Sequence, residues 1–157
     1  MSSKIWIWII VVGAILIALF YIPRISDPTR AMVKKWNQQA IDCLPQGHVN
    51  LGQHFHPDLE IYVDGKKEVI PANIGIVRTC MAEVHTHEPT GKIHLESVLS
   101  GKEFLLPDFF KVYEGKTLER EGFDLAVEVD GELVENYKNL RLEDKQQIIL
   151  TYTKKIN

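Results

Sequence analysis

The stretch HFHPDLEIYVDGK, residues 54–66, contains the pattern that decides the fold. Apolar and polar residues alternate from Leu59 to Val63, which is typical of a β-strand with one buried face. The dipeptide Asp64-Gly65 follows, and it is typical of a tight hairpin turn. The same LxxxVDG pattern recurs at residues 125–131. We interpret the two matches as two independent hairpins, although a weak internal duplication would produce the same pattern.

Further short elements are predicted after this stretch. Alternation predicts strands at residues 93–97 and 148–152, and Pro107 predicts the first turn of a short helix over residues 107–113. We therefore expect an α+β fold, in which a small and mostly antiparallel β domain has one short helix crossing it. The closing run at residues 129–152 resembles the last strands of a β-grasp domain, which adds a β-grasp-like sheet to this expectation.

The amino-terminal segment has a different composition. Residues 5–22 contain 17 apolar residues, one glycine and no charge. As a helix this stretch would extend about 27 Å, close to the hydrocarbon thickness of a bilayer. It continues into residues 20–24, FYIPR, without the small-x-small site of a cleaved signal peptide. The sequence therefore predicts a single amino-terminal transmembrane helix that stays uncleaved, with the lipid bilayer as a partner.

The orientation of this predicted anchor depends on two opposing arguments. Residues 23–40 carry four Lys/Arg against one Asp, and the positive-inside rule taken literally would place the following domain in the cytoplasm. However, long domains after a first hydrophobic segment cross the membrane largely regardless of charge. Because the composition of the domain favours an exported site, we favour a single-pass protein of the cell membrane with an extracytoplasmic carboxyl-terminal domain.

The net charge of −3 for the whole 157-residue chain is the sum of a positively charged amino-terminal part and a negatively charged remainder. Residues 41–157 carry 13 Lys/Arg and 20 Asp/Glu, which is a net charge of −7. A nucleic-acid binder needs a basic face to neutralise phosphates, so we expect no nucleic-acid partner. The predicted organisation has three parts: an anchor at 1–25, a juxtamembrane helix and linker at 26–47, and a histidine-rich α+β domain at 48–157.

The histidines are concentrated in one segment. All six fall within residues 48–94, and four of them form two His-x-His motifs at residues 54–56 and 85–87. In a strand, residues i and i+2 face the same side, so each motif can present two imidazoles to one ion. A single His-x-His motif is weak support for a metal site, whereas two of them in one small domain are much stronger support.

A His-x-Glu motif follows the second His-x-His motif. His94 and Glu96 share one strand face, while Ile93 and Leu95 are free to face the core. The hairpin loop at residues 88–92 would fold this motif back beside the second His-x-His motif on an adjacent strand. The predicted metal ligands are His54, His56, His85, His87, His94 and Glu96.

The ligand types indicate which metals fit. Imidazole with carboxylate suits copper(II), zinc or non-haem iron. Cys43 and Cys80 are too far apart in sequence for a CxxC metal site. They would either form a disulfide in an oxidising compartment or leave Cys80 as a soft ligand. The predicted cofactor is a transition metal ion, for which we favour copper, with zinc or iron as alternatives.

Three segments resemble a group of uncharacterised, membrane-anchored archaeal and bacterial proteins. The shared pattern is HxHPxLxIxVDG followed by HTHxxxGxIHxES, and the resemblance covers roughly residues 50–152. The three segments are HFHPDLEIYVDGKKEVIPANIGI (54–76), CMAEVHTHEPTGKIHLES (80–97) and LPDFFKVYEG (106–115). The resemblance implies that the two histidine-containing blocks belong to one unit, and it brings no activity with it.

The favoured function is therefore a membrane-anchored protein that handles or delivers metal, rather than an enzyme. One alternative is a cupin-like metal-dependent oxygenase or isomerase, with His54, His56 and Glu60 as an HxHx₃E motif, although Pro57 interrupts that motif. Another alternative is an accessory structural subunit of a membrane protein complex, in which the metal only stabilises the fold. The sequence lacks the common hydrolase, NTPase and metalloprotease motifs.

Overall fold

The computed structural model describes residues 3–25, 28–44, 47–78 and 80–156. The helices are α1 (Ser3–Ile25), α2 (Pro28–Gln38) and α3 (Leu106–Val112), and a 3-10 turn spans Tyr137–Asn139. The strands are β1 (Gln53–Phe55), β2 (Asp58–Val63), β3 (Lys66–Glu68), β4 (Ile76–Val77), β5 (Cys80–Met81), β6 (Val84–His85), β7 (His94–Ser97), β8 (Phe123–Val129), β9 (Glu132–Leu133) and β10 (Gln147–Lys154). They form a five-stranded, a three-stranded and a two-stranded sheet.

The five-stranded sheet has the strand order β3-β2-β10-β8-β9. β10 lies parallel to β2 and antiparallel to β8, while the outer pairs β2-β3 and β8-β9 are antiparallel hairpins. The sheet is therefore mixed, although the other six strand pairs of the described residues are antiparallel. The prediction of a mostly antiparallel domain did not include a parallel pair. Alternation along a segment identifies a strand but not the direction of a partner strand, and β2 and β10 are far apart in the sequence.

The alternating pattern of β2 buries one face of this sheet. Leu59 and Ile61 are buried, and they lie beside the buried Ile148 and Leu150 of β10. The two hairpins turn at the two Asp-Gly dipeptides, whose four residues have positive φ angles between 49° and 86°. Two-residue hairpin turns of type I′ require this left-handed conformation, which Asp and Gly tolerate well.

The three-stranded sheet has the order β1-β7-β6, and both of its strand pairs are antiparallel. One face contributes Val84 and Leu95 to a core cluster that also includes Phe109 of α3 and Trp36 of α2. Because the two larger sheets share this core, the opposite face of the three-stranded sheet is left for other side chains.

Two links hold the three-stranded sheet in position. The backbone amide of Leu59 donates a hydrogen bond of 2.9 Å to the carbonyl of Gly91, in the loop that precedes β7. A disulfide between Cys43 and Cys80 ties the segment after α2 to β5, which leads into β6. The loops on both sides of the histidine-bearing strands are therefore fixed to the rest of the domain.

The predicted amino-terminal transmembrane anchor is corrected by the structure. In the part of the chain that the structure describes, no helix is long and apolar enough to cross a membrane. The predictions of a transmembrane helix and of a single-pass location in the cell membrane are therefore wrong, and the extracytoplasmic placement that depended on them loses its basis.

The predicted division of the chain into residues 1–25, 26–47 and 48–157 stays a prediction. Residues 26–27 and 45–46, which adjoin its boundaries, lie outside the described residues.

We expect Gly91→Ala to destabilise the fold severely, because a Cβ at this position would lie 2.1 Å from the carbonyl oxygen of Leu59. The matched control is Gly101→Ala, since Gly101 also has a positive φ but has nothing within 4 Å of its added Cβ. The control should lower the free energy of unfolding by only the roughly 1–2 kcal/mol that alanine costs in the left-handed conformation. Gly91→Ala should lower it by about 3 kcal/mol or more. Urea unfolding of both variants measures the difference, and equal losses would contradict the close contact.

Candidate metal centre

One face of the three-stranded sheet carries histidines. In the β1-β7 register His54 lies opposite Glu96, and in the β6-β7 register His85 lies opposite His94. His94 and Glu96 are two positions apart in the central strand, so they point to the same side. Leu95, between them, is buried in the core. The strand register therefore places four metal-binding side chains together.

Three further histidines extend this face beyond the strand ends. The ring centre of His56, just after β1, is 4.3 Å from that of His54, and the ring centre of His87, just after β6, is 4.7 Å from that of His85. His48 precedes β1, and its ring centre is 5.2 Å from that of His87. All six histidines of the chain thus lie in one cluster, which we call the histidine cluster.

Glu96 lies at the centre of the histidine cluster, with its side chain fully buried. Its Oε1 is 2.8 Å from Nδ1 of His48 and 2.8 Å from Nε2 of His54. The same oxygen is 3.7 Å from Nδ1 of His94 and 3.9 Å from Nε2 of His85. A buried carboxylate is costly unless positive charge or hydrogen bonds compensate for its lost hydration. A bound cation would supply this compensation.

The ring of His85 is buried and its orientation is fixed. Its Nδ1–H donates a hydrogen bond of 2.8 Å to the carbonyl oxygen of Ala82. Because a carbonyl can only accept, the ring proton is on Nδ1, and the lone pair of Nε2 faces the cluster 3.1 Å from Nε2 of His87. Metal-binding histidines typically have this arrangement, in which an outer partner holds one ring nitrogen while the other binds the ion.

Burial favours the neutral form of the innermost imidazoles. Burial, with a smaller contribution from neighbouring histidines, lowers the pKa of His85 to about 3 and that of His94 to about 4. Burial and the nearby His54 also lower the pKa of His56. Metal ions bind the neutral imidazole, so these environments keep the side chains in their ligating form at neutral pH.

His94 has an unsatisfied ring nitrogen. Its Nε2 is buried and has no hydrogen-bond partner within the described residues. An unpaired buried polar atom of this kind costs about 1–3 kcal/mol. Such atoms are expected at sites where an ion or a water molecule binds.

The ligand atoms of the cluster fall into groups of three that lie within 4.8 Å of one another. The first triad is His48, His85 and His87. The second triad is His54, His56 and His94. Glu96 belongs to two more groups, and each of these contains one histidine from the first triad and one from the second. The clustered histidines and Glu96 could therefore hold a transition metal ion, for which imidazole and carboxylate are suitable ligands.

The structure brings together the five histidines and the glutamate that were predicted as ligands. His48 is a further member that the spacing did not identify, because it stands alone and its one signal is its place in the same histidine-rich segment. Glu60 of the cupin-like alternative lies elsewhere, since its carboxylate accepts hydrogen bonds from Lys67 at 2.6 Å and Tyr62 at 2.7 Å. Cys80 is in the disulfide, so it offers no thiolate to an ion.

We expect the metal-free protein to lose stability as the pH falls below about 6.5. The unfolded chain binds protons on His85 and His94 near pH 6.5, whereas the folded chain binds them only near pH 3 and 4. Stability therefore falls across this interval, by about 2–4 kcal/mol between pH 7.5 and 5.

Urea unfolding in the presence of a chelator at pH 7.5, 6.5, 5.5 and 5.0 measures this loss. The double variant His85→Gln with His94→Gln is the control, because it lacks both titrating groups and should show a much flatter pH dependence. Constant stability of the wild-type protein across this range would contradict the neutral, buried state of these imidazoles.

No protein-family model and no curated protein matches the chain. Among solved structures, the chain is similar to staphylococcal enterotoxin-like X, a superantigen, at 14% identity over 83% of this chain and 99% of that chain. The TM-score of this match is 0.24, which is too low to establish a shared fold. The resemblance to membrane-anchored archaeal and bacterial proteins stays a prediction.

Proposed function

We propose that this protein binds a transition metal ion in the histidine cluster and hands it on, with copper as the favoured metal. The observation that supports this proposal is the convergence of four imidazoles within 4 Å of one fully buried carboxylate, that of Glu96, with the two remaining histidines grouped beside them. A polar surface without a ligand would leave its imidazoles solvated, whereas here His85 is buried and held in one tautomer by a backbone carbonyl.

The donor set supports copper(II) before zinc or iron. Imidazole nitrogen suits all three metals, and for a given nitrogen and oxygen site copper(II) is bound most tightly among the divalent first-row ions. Both cysteines are joined in the disulfide, so the soft thiolate ligands that select copper(I) are not supplied by this chain. We therefore favour the copper(II) form.

The accessibility of the cluster supports transfer of the ion rather than permanent retention. The side chains of His48 and His54 are 48% and 39% exposed. An open cavity of about 430 Å³ borders His56 and His94 and includes the acidic residue Asp144 in its wall. Structural metal sites are closed, whereas an ion that is exchanged needs a route and a place for an incoming ligand.

We expect the full-length protein to bind copper(II) and zinc tightly, and the double variant His85→Gln with His94→Gln to bind both much more weakly. Each substitution removes one imidazole from a different triad, so neither triad stays complete. The affinity should fall by more than the 10–100-fold that the loss of an outer-shell partner typically costs. Competition with a chromophoric chelator measures the affinities.

Glu60→Gln is the control for this experiment, because Glu60 is the third ligand of the cupin-like motif but bonds to Lys67 and Tyr62 in the structure. Its affinity for metal should equal that of the wild-type protein. Weak binding by the wild-type protein, or unchanged binding by the double-histidine variant, would contradict the proposal. Unfolding of the chain on metal removal, with no exchange of the ion to the chelator while folded, would indicate a structural metal instead.

A further inference from the structure

We infer that the histidine cluster is a binuclear centre, with one metal ion in each triad and the carboxylate of Glu96 bridging the two ions. This inference rests on the proposed function, because it concerns the number and arrangement of ions in the same cluster. It goes beyond that function in assigning two separate binding positions and a bridging ligand.

A single ion does not accommodate all of these donors. Bonds of roughly 2.0–2.1 Å keep the donors of one ion within about 4.2 Å of one another, and zinc typically takes four ligands. Among the described residues, the ligand atoms that lie mutually within 4.8 Å form groups of three residues each. The six imidazoles divide between two such groups that share no member, so two ions account for all of them.

Each triad contains one pair of nitrogens at the separation that a shared ion requires. In the first triad, Nε2 of His85 is 3.1 Å from Nε2 of His87. In the second triad, Nε2 of His54 is 3.5 Å from Nδ1 of His94. Two nitrogens on one tetrahedral ion lie about 3.3 Å apart when both bonds are roughly 2.0–2.1 Å long. In each triad, this pair of nitrogens is therefore close to the separation that a shared ion requires.

Glu96 lies between the two triads rather than in either one. Its Oε1 is 2.8 Å from a nitrogen of His48 in the first triad and 2.8 Å from a nitrogen of His54 in the second. The rings of His85 and His94, one from each triad, stack with their centres 5.2 Å apart. The triads thus face each other at a distance that one carboxylate can span, as in two-metal sites with ions about 3.5–4 Å apart.

A single ion held by a mixed group would use the cluster poorly. The mixed group of His85, His94 and Glu96 draws on both triads, and an ion placed there would leave the other histidines without a ligand role. It would also give no ligand role to His87, although Nε2 of His87 lies 3.1 Å from Nε2 of His85. The bridged pair uses every imidazole, and the negative charge of Glu96 reduces the repulsion between two divalent ions.

The first test counts ions on the full-length wild-type protein. Equilibrium dialysis against zinc, followed by elemental analysis, should find two ions per chain. Copper(II) titration followed by electron paramagnetic resonance should show an isolated-ion signal that declines as the second ion binds, because a bridging carboxylate couples the two unpaired electrons. Two ions with full, uncoupled signal intensity would overturn the bridge.

Paired variants test whether the two positions are separate. His48→Ala with His87→Ala disables the first triad, and His54→Ala with His56→Ala disables the second. Each double variant should retain one zinc ion per chain, and the quadruple variant should retain none. Loss of all binding in either double variant would show one shared site and would overturn the inference.

Glu96→Gln tests the bridging ligand directly. This substitution should lower the affinity for the second ion at least about 10-fold. It should also remove the magnetic coupling of any copper pair that still forms. The matched control is Glu83→Gln, since Glu83 is also buried but its carboxylate pairs with Lys102 outside the cluster. This control should bind two coupled ions.

If Glu96→Gln does not fold, the number of ions per wild-type chain and the paired histidine variants still test whether the cluster binds two ions. One ion per wild-type chain would overturn the binuclear inference and leave the proposed function standing. No tightly bound ion would overturn both.

Discussion

The buried carboxylate of Glu96 is the constraint on which the site depends. Removing a negative charge from water is unfavourable unless a cation or strong donors replace the lost hydration. Here the carboxylate is surrounded by imidazoles, and burial lowers the pKa of His85 and of His94, so these two stay neutral at neutral pH. Neutral imidazoles supply lone pairs rather than compensating charge. The ring nitrogens of His48 and His54, each 2.8 Å from the carboxylate, compensate for part of its lost hydration. A metal cation held by the surrounding lone pairs would add the positive charge.

The fold creates this situation through the position of one strand. β7 lies between β1 and β6, so side chains on its outer face meet histidines from both neighbours. On the inner face, Leu95 packs into the core and fixes which side Glu96 must occupy. A slip of one residue would exchange the two faces and would place Leu95 among imidazoles and Glu96 in the apolar core. The cost of that exchange keeps the register, and with it the ligand geometry, in place.

The spacing of residues predicts contacts within and between neighbouring strands, and it fails where contacts are distant in sequence. The His-x-His and His-x-Glu motifs predicted shared faces because the side chains of a strand alternate, and the loop at residues 88–92 predicted that β6 and β7 would be neighbours. His48 was missed because a loop residue has no such periodicity. The parallel pairing of β2 with β10 was missed because alternation carries no information about strand direction.

Glu60 shows the opposite error, in which a correct local pattern suggests a wrong contact. It shares the alternation of His54 and His56 in the sequence, but it belongs to β2 rather than β1. The hairpin partner of β2 supplies Lys67, whose ammonium group binds the Glu60 carboxylate. The ammonium group of Lys67 thus holds the Glu60 carboxylate on the five-stranded sheet. The cupin-like motif of His54, His56 and Glu60 therefore does not assemble. Sequence spacing grouped the candidate ligands correctly where both members of a pair lie on one sheet, and it failed across the break between sheets.

Each triad has one exposed histidine, but the triads differ in how their other ligands are held, and this difference bears on how a metal ion would be exchanged. The first triad contains His85, which is fully buried and held by the carbonyl of Ala82, so its lone pair is preorganised and loses little freedom on binding. The second triad borders the open cavity through His56 and His94. An incoming ligand could reach an ion at the second position through this cavity, whereas release from the first position would also break a bond to the buried ring of His85. A protein that hands a metal ion to a partner needs one ion that the partner can reach. A second ion that stays bound would keep the ligands of the site in order. Two unequal positions on either side of one carboxylate would meet both requirements.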